Sequence, residues 1–260
     1  MLKRGQITTF IIVGILVLVV TGLILFLSKS LIEDKTAVEE EKTQQANVLS
    51  DPIQHYIQSC LEKTGEDALI HIGQHGGYYE LPDLSSSLLS VPYYFYDNQS
   101  YFLSKEELEF QYSQYINYQL FFCFRNFEVF EKQGYQIKQD EVNTTTRITT
   151  NQVLIEINFP VNIEKGEVIT SLERFSTTIP SRLGLIYQVV EEYMQQQELR
   201  SDICMSCLIK LAQANKLKVL MEFGGESDML FTILDEERLV KNQPYTYKFV
   251  NQYKSKENEE

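Results

Sequence analysis

The sequence predicts an α+β protein: an N-terminal transmembrane helix and a helical stalk, then helices packed on antiparallel sheets. Three observations predict it. An uncharged apolar run opens the chain, segments with apolar residues at three- and four-residue spacing recur between 51 and 215, and period-two stretches rich in Val, Ile and Thr fill 134–178 and the region after 218.

The first element is the apolar run. From Ile7 to Leu27 only Thr8, Thr9, Thr21, Gly14 and Gly22 interrupt Ile, Val, Leu and Phe. At a helical rise of about 1.5 Å per residue this covers roughly 30 Å, the thickness of a bilayer's hydrocarbon core. The run outlasts a secretory signal core and is followed by Ser28-Lys29-Ser30, so residues 7–28 read as a retained transmembrane helix. Lys3 and Arg4 precede it, and Glu33 and Asp34 follow soon after. The positive-inside rule then leaves residues 1–6 in the cytoplasm and sends the rest out of the cell. No later window is a second span.

Residues 29–50 are strong helix formers without a continuous apolar stripe, which reads as a polar helical stalk standing in water. Asp51-Pro52 predicts an N-cap and first helical position, and Ile53, Tyr56, Ile57, Cys60, Leu61, Ala68, Leu69 and Ile72 line one face of the helix that follows. Gly73 and Gly76-Gly77 end it, with a short strand expected at Tyr78–Leu81. Val91–Tyr96 and Ser100–Leu103 flank Asp97-Asn98-Gln99 as a hairpin. Ser104 to Glu107 is a capping box, and Leu108, Tyr112, Ile116, Leu120, Cys123 and Phe127 mark a helix face. Gly134–Thr178 predicts a meander of three or four strands. Pro180 or Ser181 opens a helix to about Leu199, and Ser201-Asp202 caps a shorter one carrying Cys204 and Cys207. Strands are expected at Lys218–Phe223, Met229–Leu234 and Tyr245–Tyr253. The folded part is thus 51–253, with a subdivision near 180 left open, and 254–260 is a charged tail.

The net charge of −13 argues against nucleic acid or anionic headgroups as partners of the outer part, because phosphate contacts require clustered Lys and Arg. Four cysteines in an exported chain predict two disulfides. Cys60 and Cys123 each fall on the apolar side of their own helix, which suits a bridge between packed helices worth roughly 4 kcal/mol. Cys204-Met-Ser-Cys207 has the spacing of a thiol-exchange motif, but a helix precedes it where a thioredoxin unit has a strand, so a structural role is preferred, as a short-loop disulfide or with one of the two pairing elsewhere. The three histidines, His55, His71 and His75, lack zinc spacing, and neither a metal nor a cofactor is expected. Asn98 and Asn143 open glycosylation tripeptides. Residues 91–130 hold about half of the chain's aromatics, mostly at core spacing; Tyr94 and Tyr96 are the members expected on an exposed, adhesive face. No nucleotide-binding or hydrolase motif is present, and no catalysis is inferred.

Lys3-Arg4-Gly5-Gln6 followed directly by an apolar helix resembles the class III signal of archaeal type IV pilins and archaellins, over about a tenth of the chain. The resemblance implies cleavage between Gly5 and Gln6 and assembly through the apolar helix. Phe10 stands where those proteins often carry an acid. The layout, including GGYY and a late ICxxCL, is also similar to uncharacterised single-pass archaeal membrane proteins. The expectation is a structural or interaction protein of the cell surface, anchored in the membrane by 7–28 and meeting other surface proteins or itself. Its alternatives are a pilin-like filament subunit and a thiol oxidoreductase using Cys204 and Cys207.

Overall fold

The computed structural model describes residues 5–200, 202–224 and 227–253, with side chains at 12–24 and from 46 onward apart from 126. The chain is α+β, with five α-helices and two sheets among the described residues. Helix α1, Gly5–Gln74, is unbroken for 70 residues, about 105 Å at the helical rise. The expected N-cap at Asp51 is therefore absent. Pro52 lies inside the helix on its exposed side, near the equally exposed Val48, whose carbonyl loses its helical donor there. Solvent supplies the missing partner, so the proline is accommodated where a buried one would break the helix. From Leu49 onward Ile53, Ile57, Cys60, Leu61, Ala68, Leu69 and Ile72 are buried on the predicted face, and Tyr56, expected with them, is half-buried against the core.

Between Ile12 and Leu23 the helix exposes its apolar side chains all round. Among the described residues no helix is long and apolar enough to cross a membrane. The span expected at 7–28 and the stalk at 29–50 include 7–11 and 25–45, which lie outside the described side chains, as the tail 254–260 lies outside the described residues.

Gly76 and Gly77 close α1 with positive φ, and the Gly77 N–H donates to Ile72 O at 2.7 Å, a Schellman-type end. Tyr78–Leu81 forms no strand; the next strand is the short β1, Ser85–Ser86. Strand β2, Val91–Tyr96, turns through Asp97 and Asn98, both at positive φ, into β3, Gln99–Ser100. This is a two-residue hairpin turn, one residue tighter than the sequence predicts. Helix α2, Lys105–Phe124, is capped by Ser104, whose Oγ accepts from the Glu107 N–H at 3.1 Å. A single 3₁₀ turn and the short α3, Glu128–Glu131, follow it.

The smaller sheet contains β4, Gln136–Gln139, β5, Asn143–Ile148, β6, Gln152–Lys165, and β7, Val168–Pro180. Both β4 and β5 pair with β6 on the same side, one after the other, and β7 pairs with its opposite side. The sheet is therefore three strands wide, its first strand interrupted at 140–142 opposite a bulge in β6 at 159–160. One face carries buried Val153, Ile155, Ile157, Phe159, Val161 and Ile163 beneath α1 and α2; the intervening residues are mostly exposed.

Helices α4, Leu183–Glu198, and α5, Met205–Ala214, precede β8, Lys218–Phe223, β9, Asp228–Val240, and β10, Gln243–Gln252. Cys204, rather than Ser201-Asp202, occupies the position before α5; Ser201 lies outside the described residues. The larger sheet runs β1-β2-β10-β9-β8, antiparallel except for the β2–β10 pair. Tyr193 of α4 packs its ring on Phe231 and Phe249 of that sheet. Gly73, expected to help end α1, lies inside it instead, so close to β10 that an added Cβ would collide with Thr246 O. One connected core extends through both sheets and all four long helical faces, from Leu49 to Phe249.

Candidate interaction surface

Helix α2 has two apolar faces and only one is used by the fold. Leu108, Tyr112, Ile116, Leu120 and Phe124 are buried between α1 and the smaller sheet, with the Phe124 ring stacked on Phe159 of β6 at 4.4 Å. On the opposite side Phe110, Tyr118, Phe121 and Phe122 are 53%, 52%, 58% and 44% exposed. Their spacing of three, four and eight residues makes them one stripe. Tyr118 and Phe121 each meet the Phe122 ring edge-on, at 5.1 and 5.5 Å, and the Arg125 guanidinium lies 5.4 Å from the Phe121 centroid. Large aromatics left in water in this way are the usual raw material of an interface.

The stripe is held rigidly. Cys60 and Cys123 form a disulfide with Cα atoms 6.1 Å apart, joining α1 to the last turn of α2. The Tyr56 hydroxyl donates to Cys123 O at 2.5 Å, and the Tyr112 hydroxyl donates to Gly65 O at 2.5 Å. Beside the stripe, Tyr79 links Tyr118 to the stacked pair His71 and His75, whose ring centroids are 4.1 Å apart. His71 Nε2–H donates to Tyr79 O at 2.8 Å, and burial lowers the His71 pKa despite that bond, with the His75 charge adding to the lowering.

Next to α2 runs the free edge of β5. Thr149 donates to Gln152 O at 2.9 Å across the β5–β6 turn, so by alternation Thr144, Thr146 and Ile148 direct their backbone N–H and C=O groups away from β6. The Ile148 N–H is taken by the Glu109 carboxylate at 2.7 Å. Ser113 donates to Thr146 Oγ1 at 2.9 Å, holding α2 over the strand. Between helix and edge lie two adjoining clefts of about 410 and 530 Å³ that meet at Asn117. Glu106, Glu109, Asp140 and Glu141 line them, and among the described residues no Lys or Arg does. Asn117 Oδ1 and Thr144 Oγ1, both bordering the first cleft, are buried without a hydrogen-bond partner.

The remaining predicted site residues are scattered. Cys204 and Cys207 are joined, Cα atoms 5.3 Å apart, at the start of α5, and the Cys204 N–H donates to Gln197 Oε1 at 3.4 Å. No free cysteine remains. Tyr94 is wholly buried, against expectation: its hydroxyl donates to Gly76 O at 2.8 Å and meets the Tyr247 hydroxyl at 2.6 Å. Tyr96 is half-buried. The alternation rule failed on β2 because both sides of the strand are covered: the adjacent Tyr94 and Phe95 both join the main core, and Val91 joins a satellite cluster with Leu230 and Val250. Asn98 sits exposed in its turn and Asn143 is exposed at the start of β5. Gly5 and Gln6 open α1, with side chains outside the described residues. His55 is exposed and remote from the histidine pair, and among the described residues no three His, Cys, Asp or Glu side chains converge as a metal site would require.

Sequence reasoning missed the surface that is exposed. The signal was present as Phe110, Tyr118 and Phe121-Phe122 at helical spacing, on the side of α2 opposite Leu108 and Ile116. Comparison with protein-family models, with characterised proteins and with solved structures returns no match.

Proposed function

We propose that this is a membrane-anchored, extracytoplasmic interaction protein of the cell surface, holding a rigid disulfide-bonded domain at the end of a long helix. The observation that carries the reading is the all-round apolar exposure of α1 from Ile12 to Leu23, continuous with a domain containing two disulfides. A helix apolar on every side is stable only in apolar surroundings, and disulfides persist outside reducing compartments. The aromatic stripe of α2 is the working surface. No catalytic role is assigned.

Alkaline carbonate washing of membranes from cells expressing the full chain, followed by protease treatment of intact cells, tests the anchor. Retention in the membrane with loss of the domain to external protease is expected; release by carbonate overturns the reading. A photo-crosslinking amino acid at Phe121 tests the surface and should capture another surface protein in intact cells.

A second reading is favoured by one feature, the continuity of α1. A pilin-like subunit needs a single helix whose first part is apolar and whose second part packs on its own sheet; α1 exposes apolar side chains from Ile12 to Leu23 and, among the described side chains, joins the core from Leu49 onward, with the polar residues 29–48 between. Mass spectrometry of the mature N-terminus separates the two: a chain beginning at Gln6 supports the filament subunit, and one beginning at Met1 or Leu2 eliminates it. Thiol exchange through Cys204 and Cys207 rests on their spacing at the start of α5 alone. Thiol trapping of the native protein should find both unreactive to mild reductant under the interaction reading.

A further inference from the structure

Resting on that interaction reading, we propose that the cleft between α2 and the free edge of β5 takes an extended, basic segment of another protein, added to the sheet as a strand. Four features converge on it. The outward backbone groups of Thr144 and Thr146 continue a row whose third member, the Ile148 N–H, is already satisfied by Glu109. A row of open donors and acceptors is a template for a further strand. Thr144, 7% exposed, has its Oγ1 unpartnered at the cleft wall, as has Asn117 across from it. Phe110 lines one cleft and Phe121 the other, offering apolar contact to the incoming strand at both.

Charge selects the occupant. The clefts carry the carboxylates of Glu106, Glu109, Asp140 and Glu141 and, among the described residues, no cation, within a chain of net charge −13. A second copy would bring the same sign of charge to the same edge, and nucleic acid would be repelled. A strand with apolar side chains on one face and Lys or Arg towards its ends meets both the stripe and the rim.

The test uses the full chain in detergent micelles and a synthetic peptide, acetyl-KVTVTVK-amide, with amide hydrogen exchange and calorimetry as readouts. Binding should slow exchange at Thr144 and Thr146. N-methylation of alternate central residues of the peptide, which leaves the protein untouched, should weaken binding about tenfold or more through lost edge hydrogen bonds. The D140K/E141K variant, altered only at exposed positions, should weaken it comparably, and acetyl-EVTVTVE-amide should not bind. Thr144→Pro removes an edge donor that carries no ladder bond and should act like N-methylation. Should that variant unfold, the peptide analogues still decide. Binding indifferent to N-methylation, equal binding of the acidic peptide, or protection of the same amides by self-association of the chain overturns the proposal. If the peptide fails to bind while the crosslinker at Phe121 still captures a surface protein, the strand-addition inference falls and the interaction reading stands.

Discussion

Tyr94 shows how far one hydroxyl reaches in this fold. It is wholly buried, donates to Gly76 O at the end of α1 and meets Tyr247 of β10, so one ring ties a helix end, β2 and β10 together. Tyr94→Phe keeps the ring and its stacking on Phe249 but leaves Gly76 O and the Tyr247 hydroxyl short of a partner. A loss of about 1–3 kcal/mol is expected in denaturant unfolding, the range for orphaned buried polar groups. His71 supplies the pH dependence. Its folded-state pKa is below the ordinary 6.5, chiefly through burial, so the unfolded chain binds its proton more readily. The stability linked to His71 is therefore complete above 6.5 and is lost as pH falls through the lowered folded-state value. Unfolding curves collected downwards from neutral pH should show this loss, and His71→Phe should flatten it.

At the scale of elements, two covalent ties and one ion pair do unequal work. The Cys60–Cys123 bridge closes a separation of 63 residues and Cys204–Cys207 one of 3. On the chain-entropy account the first is worth about 4 kcal/mol and the second about 2 kcal/mol. Paired alanine substitutions at each bridge, compared by chemical denaturation, should reproduce that order; equal losses would place the effect in the native state instead. Arg182, just before α4, pairs with the fully buried Asp235 of β9 at 2.9 Å and also donates to Asn215 O. Burial nevertheless raises the Asp235 pKa, since its desolvation outweighs the attraction of Arg182. Arg182→Met should cost about 3–5 kcal/mol by leaving that carboxylate unpaired, whereas the R182M/D235L double variant should recover most of it, as measured by thermal and urea unfolding.

At the scale of the molecule, what was legible in the sequence is what depends on local period and local chemistry. The buried face of α1, the α2 cap at Ser104, the long strands after Gly134 and the cysteines on apolar faces all follow from spacing. What was not legible depends on neighbours distant in sequence. The parallel pairing of β2 with β10, and hence the burial of Tyr94, is set by strands more than a hundred residues apart in the chain. The cleft is equally non-local, since its walls come from α2 and from the strand edge at 139–146. Asp51-Pro52 misled because a proline on a helix's solvent side resembles a helix start in sequence, and only the exposure of Pro52 and Val48 distinguishes the two.

That same junction divides the molecule mechanically. Among the described residues no side chain before Leu49 belongs to the core, and the first covalent tie, at Cys60, comes after it. A chain beginning at residue 46 therefore retains every described core residue together with both disulfides. Its unfolding free energy in urea should match that of the full chain in detergent to within about 0.5 kcal/mol, the scatter of changes remote from a core. It should also no longer associate with lipid vesicles, because the exposed apolar residues from Ile12 to Leu23 are gone. Vesicle flotation and denaturant unfolding of the two chains read these outcomes separately. A marked loss of cooperativity in the shortened chain would show that the first part of α1 supports the domain, and flotation of the shortened chain would move membrane affinity to the aromatic stripe of α2.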